Sequence, residues 1–192
     1  MDHTFTTDGA QWLHEPSWRV EGDELVVDAV EGSDLWRHTS YGFVRDTAHA
    51  LLRPVAVGQA CEVDVHASMS EQFDQAGLLL RVDEERWLKA GLERADGRLG
   101  LGVVMTDGRS DWSTAPVDDW AGTWVRVRVS VAADSVTVRA RPEGGAWQLV
   151  RLVPFATSGA ALAGPYCAAP SRSGWTARFR ALATTSADDA LH

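Results

Sequence analysis

Lys89 is the one lysine in a chain that carries seventeen arginines. It stands in the run Trp87-Leu88-Lys89-Ala90-Gly91-Leu92-Glu93. Alternation there sets Leu88, Ala90 and Leu92 on one face and Trp87, Lys89, Gly91 and Glu93 on the other, as a strand of period two requires. An ammonium, a carboxylate and an indole on one face can hold a polar molecule by charge-assisted hydrogen bonds and stacking. Four residues of extended chain separate the Lys89 and Glu93 Cα atoms by ~13 Å, at ~3.3 Å per residue. The two are not each other's ion-pair partner. Each needs one from a neighbouring strand or loop, and Arg37, Asp74 and Asp111 are the candidates.

The preceding run repeats the arrangement. Ala76, Leu78, Leu80 and Val82 share one face; Gln75, Gly77, Leu79 and Arg81 share the other. Asp83-Glu84-Glu85-Arg86 joins the two runs as a hairpin, which merges their polar faces around Gly77 and Gly91. Glycine inside a strand marks close approach of a ligand or another backbone, or else a bulge on a solvated face. Both readings stand at this point.

Two more stretches mix aromatics with charge. Asp34 to Gly42 contains Trp36, Arg37 and Tyr41, and Ser110-Asp111-Trp112-Ser113 follows the Asp107-Gly108 turn. Such loops suit sugar recognition by stacking and directed hydrogen bonds. The alternative is a loop whose Trp plugs the end of the fold and whose Asp caps a turn. The candidate ligand-binding residues are therefore Trp36, Arg37, Tyr41, Asp74, Gln75, Lys89, Glu93, Asp111 and Trp112.

No catalytic residue, metal or cofactor is assigned. Gly108-Arg109-Ser110-Asp111-Trp112 lacks the second glycine of a nucleophile elbow, and no helical pattern follows it. The six histidines show no metal-binding spacing. Asp118-Asp119, two adjacent acids on a turn, is a weak calcium signal.

The elements that must position these residues read as strands. Val125, Val127, Val129 and Val131 alternate with Arg126, Arg128 and Ser130; Val136 and Val138 continue the pattern after an Asp134-Ser135 turn. Ala177, Phe179 and Ala181 alternate with Arg178 and Arg180. Short strands between frequent turns predict an all-β sandwich. Asp46 to Leu52 is expected to form one short helical turn. The 192 residues suit a single domain over 1–192, with a core of about 10–183 and a frayed polar tail at 184–192.

The net charge of −9 argues against nucleic-acid and anionic-membrane partners. No run of about eighteen apolar residues could span a bilayer. The first residues carry no basic and apolar leader, so a cytoplasmic protein is expected. Cys61 and Cys167, without metal-like spacing, read as small buried hydrophobes.

Five runs resemble one family: Trp36-Arg37-His38-Thr39-Ser40-Tyr41-Gly42-Phe43, Phe73-Asp74-Gln75-Ala76-Gly77-Leu78, Trp87 to Glu93, Ser110 to Ser113, and Gly164-Pro165-Tyr166-Cys167-Ala168-Ala169-Pro170. Together they are similar to the DUF1349 family, from Trp12 to about Leu182. The resemblance implies a concanavalin A-like jelly-roll sandwich of two antiparallel sheets. A similar pattern in the sandwich domain appended to family 43 glycoside hydrolases implies a carbohydrate connection. The family brings no established reaction. Where its usual block reads asparagine-glycine before the histidine, this chain has Asp46-Thr47-Ala48-His49.

Three functions follow as expectations. The first is a non-catalytic module that binds a saccharide or small polar metabolite on the concave face, or regulates sugar metabolism. The second is a protein-interaction module. The third is a glycosidase- or lyase-like enzyme in which Glu93 pairs with Asp74 or Asp111, at ~5–5.5 Å for retention or ~6.5–9.5 Å for inversion.

Overall fold

The computed structural model describes residues 5–157 and 161–191. Two seven-stranded antiparallel sheets face each other. The first runs in the order β1 (Gln11–Leu13), β6 (His49–Val55), β15 (Ala161–Ala168), β8 (Gln75–Arg81), β9 (Arg86–Ala95), β10 (Arg98–Asp107), β11 (Arg109–Pro116). The second runs β14 (Gln148–Pro154), β13 (Ser135–Pro142), β12 (Trp124–Val131), β7 (Gln59–His66), β16 (Thr176–Ser186), β3 (Glu24–Asp28), β2 (Ser17–Glu21). A separate hairpin, β4 (Leu35–Arg37) with β5 (Val44–Asp46), completes the set. This is the expected concanavalin A-like sandwich.

The alternation carries through. Val125, Val127, Val129, Val131, Val136 and Val138 point into the core between the sheets, where they meet Leu78, Leu80, Leu88 and Leu92. Cys61 and Cys167 are free thiols within it. Burial pushes the Cys61 thiol up to about 12 and Cys167 up as well, so both stay protonated.

The opposite face of the first sheet is not solvated. Leu79, Trp87, Val104, Tyr166, Ala50 and Leu52 rise from it and are covered by Leu35 and Trp36 of the β4–β5 hairpin. Over these strands both faces of the sheet are therefore covered, so the alternative of a solvated face does not hold there.

Gly77 and Gly91 stand directly opposite each other in the β8–β9 register, with no bulge. A Cβ on Gly91 would lie 2.3 Å from the Ala76 carbonyl oxygen and 2.6 Å from the Gly77 Cα. The pair exists for the approach of two backbones, and it forms no ligand depression.

Two expectations on local structure are corrected. Asp46 to Leu52 is no helical turn: its residues end β5 and begin β6, which is held between β1 and β15. From Thr184, where a frayed tail was expected, the chain stays on the fold. Strand β16 pairs with β7 as far as Ser186, and Asp188 reaches Arg128 and Arg139 through Nε at 2.8 and 3.1 Å.

Candidate functional site

Strand β9 lifts Lys89 and Glu93 from the first sheet, and β8 lifts Gln75, the register partner of Glu93. Asp34 arrives from the residue before β4. The Lys89 Nζ donates to Gln75 Oε1 at 2.6 Å and to Asp34 Oδ1 at 3.3 Å. Gln75 Nε2 donates to the same Asp34 oxygen at 3.3 Å and to the Phe73 carbonyl at 3.3 Å. The buried ammonium is thus neutralised by a carboxylate carried 55 residues away in sequence. Such pairing is what lets a charge remain in a site sheltered from water.

Glu93 is different. It lines the same cavity, yet no hydrogen bond or ion pair reaches its carboxylate among the described residues. Burial pushes its pKa up to about 7; Lys89 draws it down and the Asp34 charge adds to the rise. Burial, then the nearby charges of Glu93 and Asp34, also keep the Tyr166 phenol protonated.

The hairpin supplies the facing wall. Tyr41 stacks on Phe43 at 5.5 Å between ring centroids and meets Trp36 edge-on at 5.6 Å. Trp36 donates its indole N–H to the Thr39 carbonyl at 2.9 Å, which fixes the ring. The Arg45 guanidinium lies 5.0 Å from the Phe43 ring centroid. Trp112 of β11 and Phe73 close the sides. The cavity measures about 370 Å³, within the range of small-molecule sites. Its mouth is open: Tyr41 is 59% exposed and Trp112 37%.

Of the residues singled out by sequence, Trp36, Tyr41, Gln75, Lys89, Glu93 and Trp112 line this cavity. Three others lie outside its lining. Arg37 fastens the hairpin: its Nη2 donates to Glu85 at 2.5 Å, its Nε to the Gly108 carbonyl at 3.3 Å, and its backbone N–H to Ser110 Oγ at 2.9 Å. Asp74 is wholly buried and spoken for. It takes Arg172 Nε and Nη2 at 3.0 and 2.6 Å, plus the backbone N–H groups of Ser70 and Glu71 at 3.1 and 3.0 Å. Asp111 accepts from Arg151 Nη2 at 2.8 Å, across to the second sheet, and borders a separate shallow recess beside Trp36, Tyr41 and Trp112.

None of Arg37, Asp74 and Asp111 is the partner of Lys89; Asp34 and Gln75 are. Asp34, Phe43, Arg45 and Phe73 are cavity residues that sequence reasoning did not select. The signal for two of them was position, since Asp34 opens the aromatic stretch already noted and Phe43 follows its end.

Two doubtful residues also find roles. His49 Nδ1 donates to the His14 carbonyl at 2.6 Å, which leaves Nε2 to accept the Val30 N–H at 3.2 Å. Burial lowers its pKa, so the neutral ring is a structural tie. Asp118 is held by Arg98 Nε and Nη2 at 2.8 and 2.6 Å and by the Leu99 N–H at 2.9 Å.

Comparison with known proteins gives a consistent answer. A family profile described as "Protein of unknown function (DUF1349)" matches residues 12–187. Regulation of enolase protein 1 of Saccharomyces cerevisiae is 38% identical over 177 residues, which cover 91% of this chain and 88% of that protein. A crystal structure titled as a functionally unknown protein from Saccharomyces cerevisiae superposes with a TM-score of 0.88 at 35% identity, covering 95% of this chain and 98% of that one. The Bacteroides ovatus protein titled Xyloglucan PUL GH43B superposes at 0.76 with 12% identity, over 96% of this chain and 38% of its own; at that identity the likeness is one of fold.

Proposed function

The chain belongs to the DUF1349 family, and from its cavity we propose that it is a binding module for a small, hydroxyl-rich polar metabolite such as a saccharide. The observation that carries this reading is Glu93, a carboxyl without a protein partner, facing an aromatic wall across a cavity of about 370 Å³. Glu93 is only partly buried, so its carboxyl stays open to the cavity and can meet the hydroxyls of a ligand. Tyr41, Phe43 and Trp112 offer flat apolar faces, while Glu93, Lys89 and Arg45 offer hydrogen bonds to hydroxyls. That combination matches how sugars are held, ring face to aromatic and hydroxyl edge to charged groups.

The name of the yeast relative, regulation of enolase, suits a ligand-sensing role in sugar metabolism. Two buried free thiols suit a reducing, cytoplasmic setting. Asp74 and Asp111 are tied to arginines outside the cavity lining, so neither supports the expected carboxylate pair with Glu93.

Titration of the chain with neutral mono- and disaccharides, followed by NMR or calorimetry, tests the reading. Saturable binding is expected, weakened about tenfold or more by Glu93→Gln and by Trp112→Ala, about 1.4 kcal/mol each. Binding that survives both substitutions would sink the site. Turnover of aryl glycosides that vanishes in Glu93→Gln would instead make Glu93 a reacting carboxyl. Tyr41, Phe43, Val44 and Trp112, exposed around the mouth, also fit a protein loop; loss of a protein partner on Tyr41→Ala without any sugar binding would favour that second reading.

A further inference from the structure

The outer face of the second sheet carries two successive rungs of opposed arginines. Arg128 stands opposite Arg139, and two residues along Arg126 stands opposite Arg141. Directly opposed side chains on one face have Cβ atoms about 4.5–5.5 Å apart, and like charges placed so repel. At the first rung the chain relieves the repulsion itself. Asp188 Oδ1 accepts from Arg128 Nε at 2.8 Å and its Oδ2 from Arg139 Nε at 3.1 Å. Its backbone N–H is held by Ser130 Oγ at 2.8 Å. One carboxylate spans both guanidiniums, and Glu62 accepts from the Arg128 Nη1 besides.

The second rung has no such bridge. Asp64, on β7, takes Arg126 Nε and Nη2 at 2.6 and 3.0 Å, and Arg180 Nε at 3.3 Å. Glu143 takes Arg180 Nη2 at 2.6 Å. The Arg126 Nη1 is left 3.9 Å from Glu62, beyond hydrogen-bond reach. Arg141 has neither hydrogen bond nor carboxylate among the described residues, and its guanidinium lies 4.6 Å from the Trp147 ring centroid. Arg126, Arg141 and Arg180, with Asp64, Glu143 and Trp124, line a recess of about 360 Å³. Three guanidiniums there face two carboxylates, a local positive excess on a chain of net charge −9.

We propose that the Arg126–Arg141 rung is a second binding site, for a small organic oxyanion, carboxylate or phosphate monoester, seated between the two arginines as Asp188 is seated at the neighbouring rung. The anion takes the free fork of Arg141 and the Nη1 of Arg126, the planar arrangement arginine offers to such groups. Trp124 lines the recess beside the position and offers the organic part an apolar edge.

Calorimetric titration of the full chain at low ionic strength, with inorganic phosphate in one arm and succinate in the other, tests this. One site is expected, weakened about tenfold or more by Arg141→Gln and less by Arg141→Lys. Saturation by phosphate alone, or by succinate alone, identifies the anion. No saturable binding to either by about 50 mM, or binding indifferent to Arg141→Gln, overturns the proposal. Glu93→Gln should leave this binding intact, so failure at the rung and failure at the cavity are told apart.

Discussion

At the scale of the residue, Glu93 couples the site to pH. Its folded carboxyl holds a proton more tightly than an unfolded one, with a pKa near 7 against an ordinary 4.5. The stability this contributes is complete below about 4.5 and is lost as pH rises through about 7. Full ionisation costs of order 3 kcal/mol by the usual conversion. Urea denaturation at pH 5 and pH 9 should show wild type losing stability relative to Glu93→Gln as pH rises; parallel behaviour of the two proteins would mean that the carboxyl is not held in this environment. Asp34 shows why the residue-level reading stopped short. A lone Asp ahead of a short strand reads as a turn cap, and it does accept the Leu35 N–H at 2.8 Å. Its second role, holding Lys89, depends on a contact that no local pattern encodes.

At the scale of the element, the β4–β5 hairpin makes the cavity. It brings Trp36, Tyr41, Phe43 and Arg45 over the sheet, and it is fastened at its base by Arg37 and by the two-pronged pair of Arg81 with Asp46, both contacts 2.8 Å. Charge-assisted bonds of this kind contribute roughly 1.5–3 kcal/mol. Arg81→Met should therefore lower stability by about 1–2 kcal/mol, since the pair is partly solvated. Amide exchange should accelerate over residues 35–46 and not in β12 or β13. Uniform acceleration would show that the hairpin does not open on its own.

The strands with one buried and one polar face, such as β12 and β13, were legible in the sequence because their alternation was intact. Strand β6 was not. His49, Ala50, Leu51 and Leu52 are buried in succession, because the core lies on one side of the first sheet and the hairpin's own apolar cluster on the other. A strand covered on both faces loses the period of two that identifies it. The same covering explains why Trp87, placed correctly on the Lys89 face, is fully buried and not exposed.

At the scale of the whole molecule, the first sheet is shared property: one face closes the main core, the other floors the cavity. The Gly77–Gly91 seam sits where both meet. Gly91→Ala would drive a methyl into the Ala76 carbonyl and part β8 from β9, at a cost of about 2–3 kcal/mol or more. Thermal unfolding and ligand titration should then fail together, whereas Glu93→Gln spares the fold; a stable Gly91→Ala protein with intact binding would contradict this geometry. Lys89, two residues from that seam, gives the molecule a further property. With no other lysine in the chain, its amine is the one side-chain amine that acylating reagents could modify, and it is buried beneath the hairpin. Acylation at position 89 thus counts openings of the cavity, and the chain carries its own chemical reporter of how often the hairpin lifts.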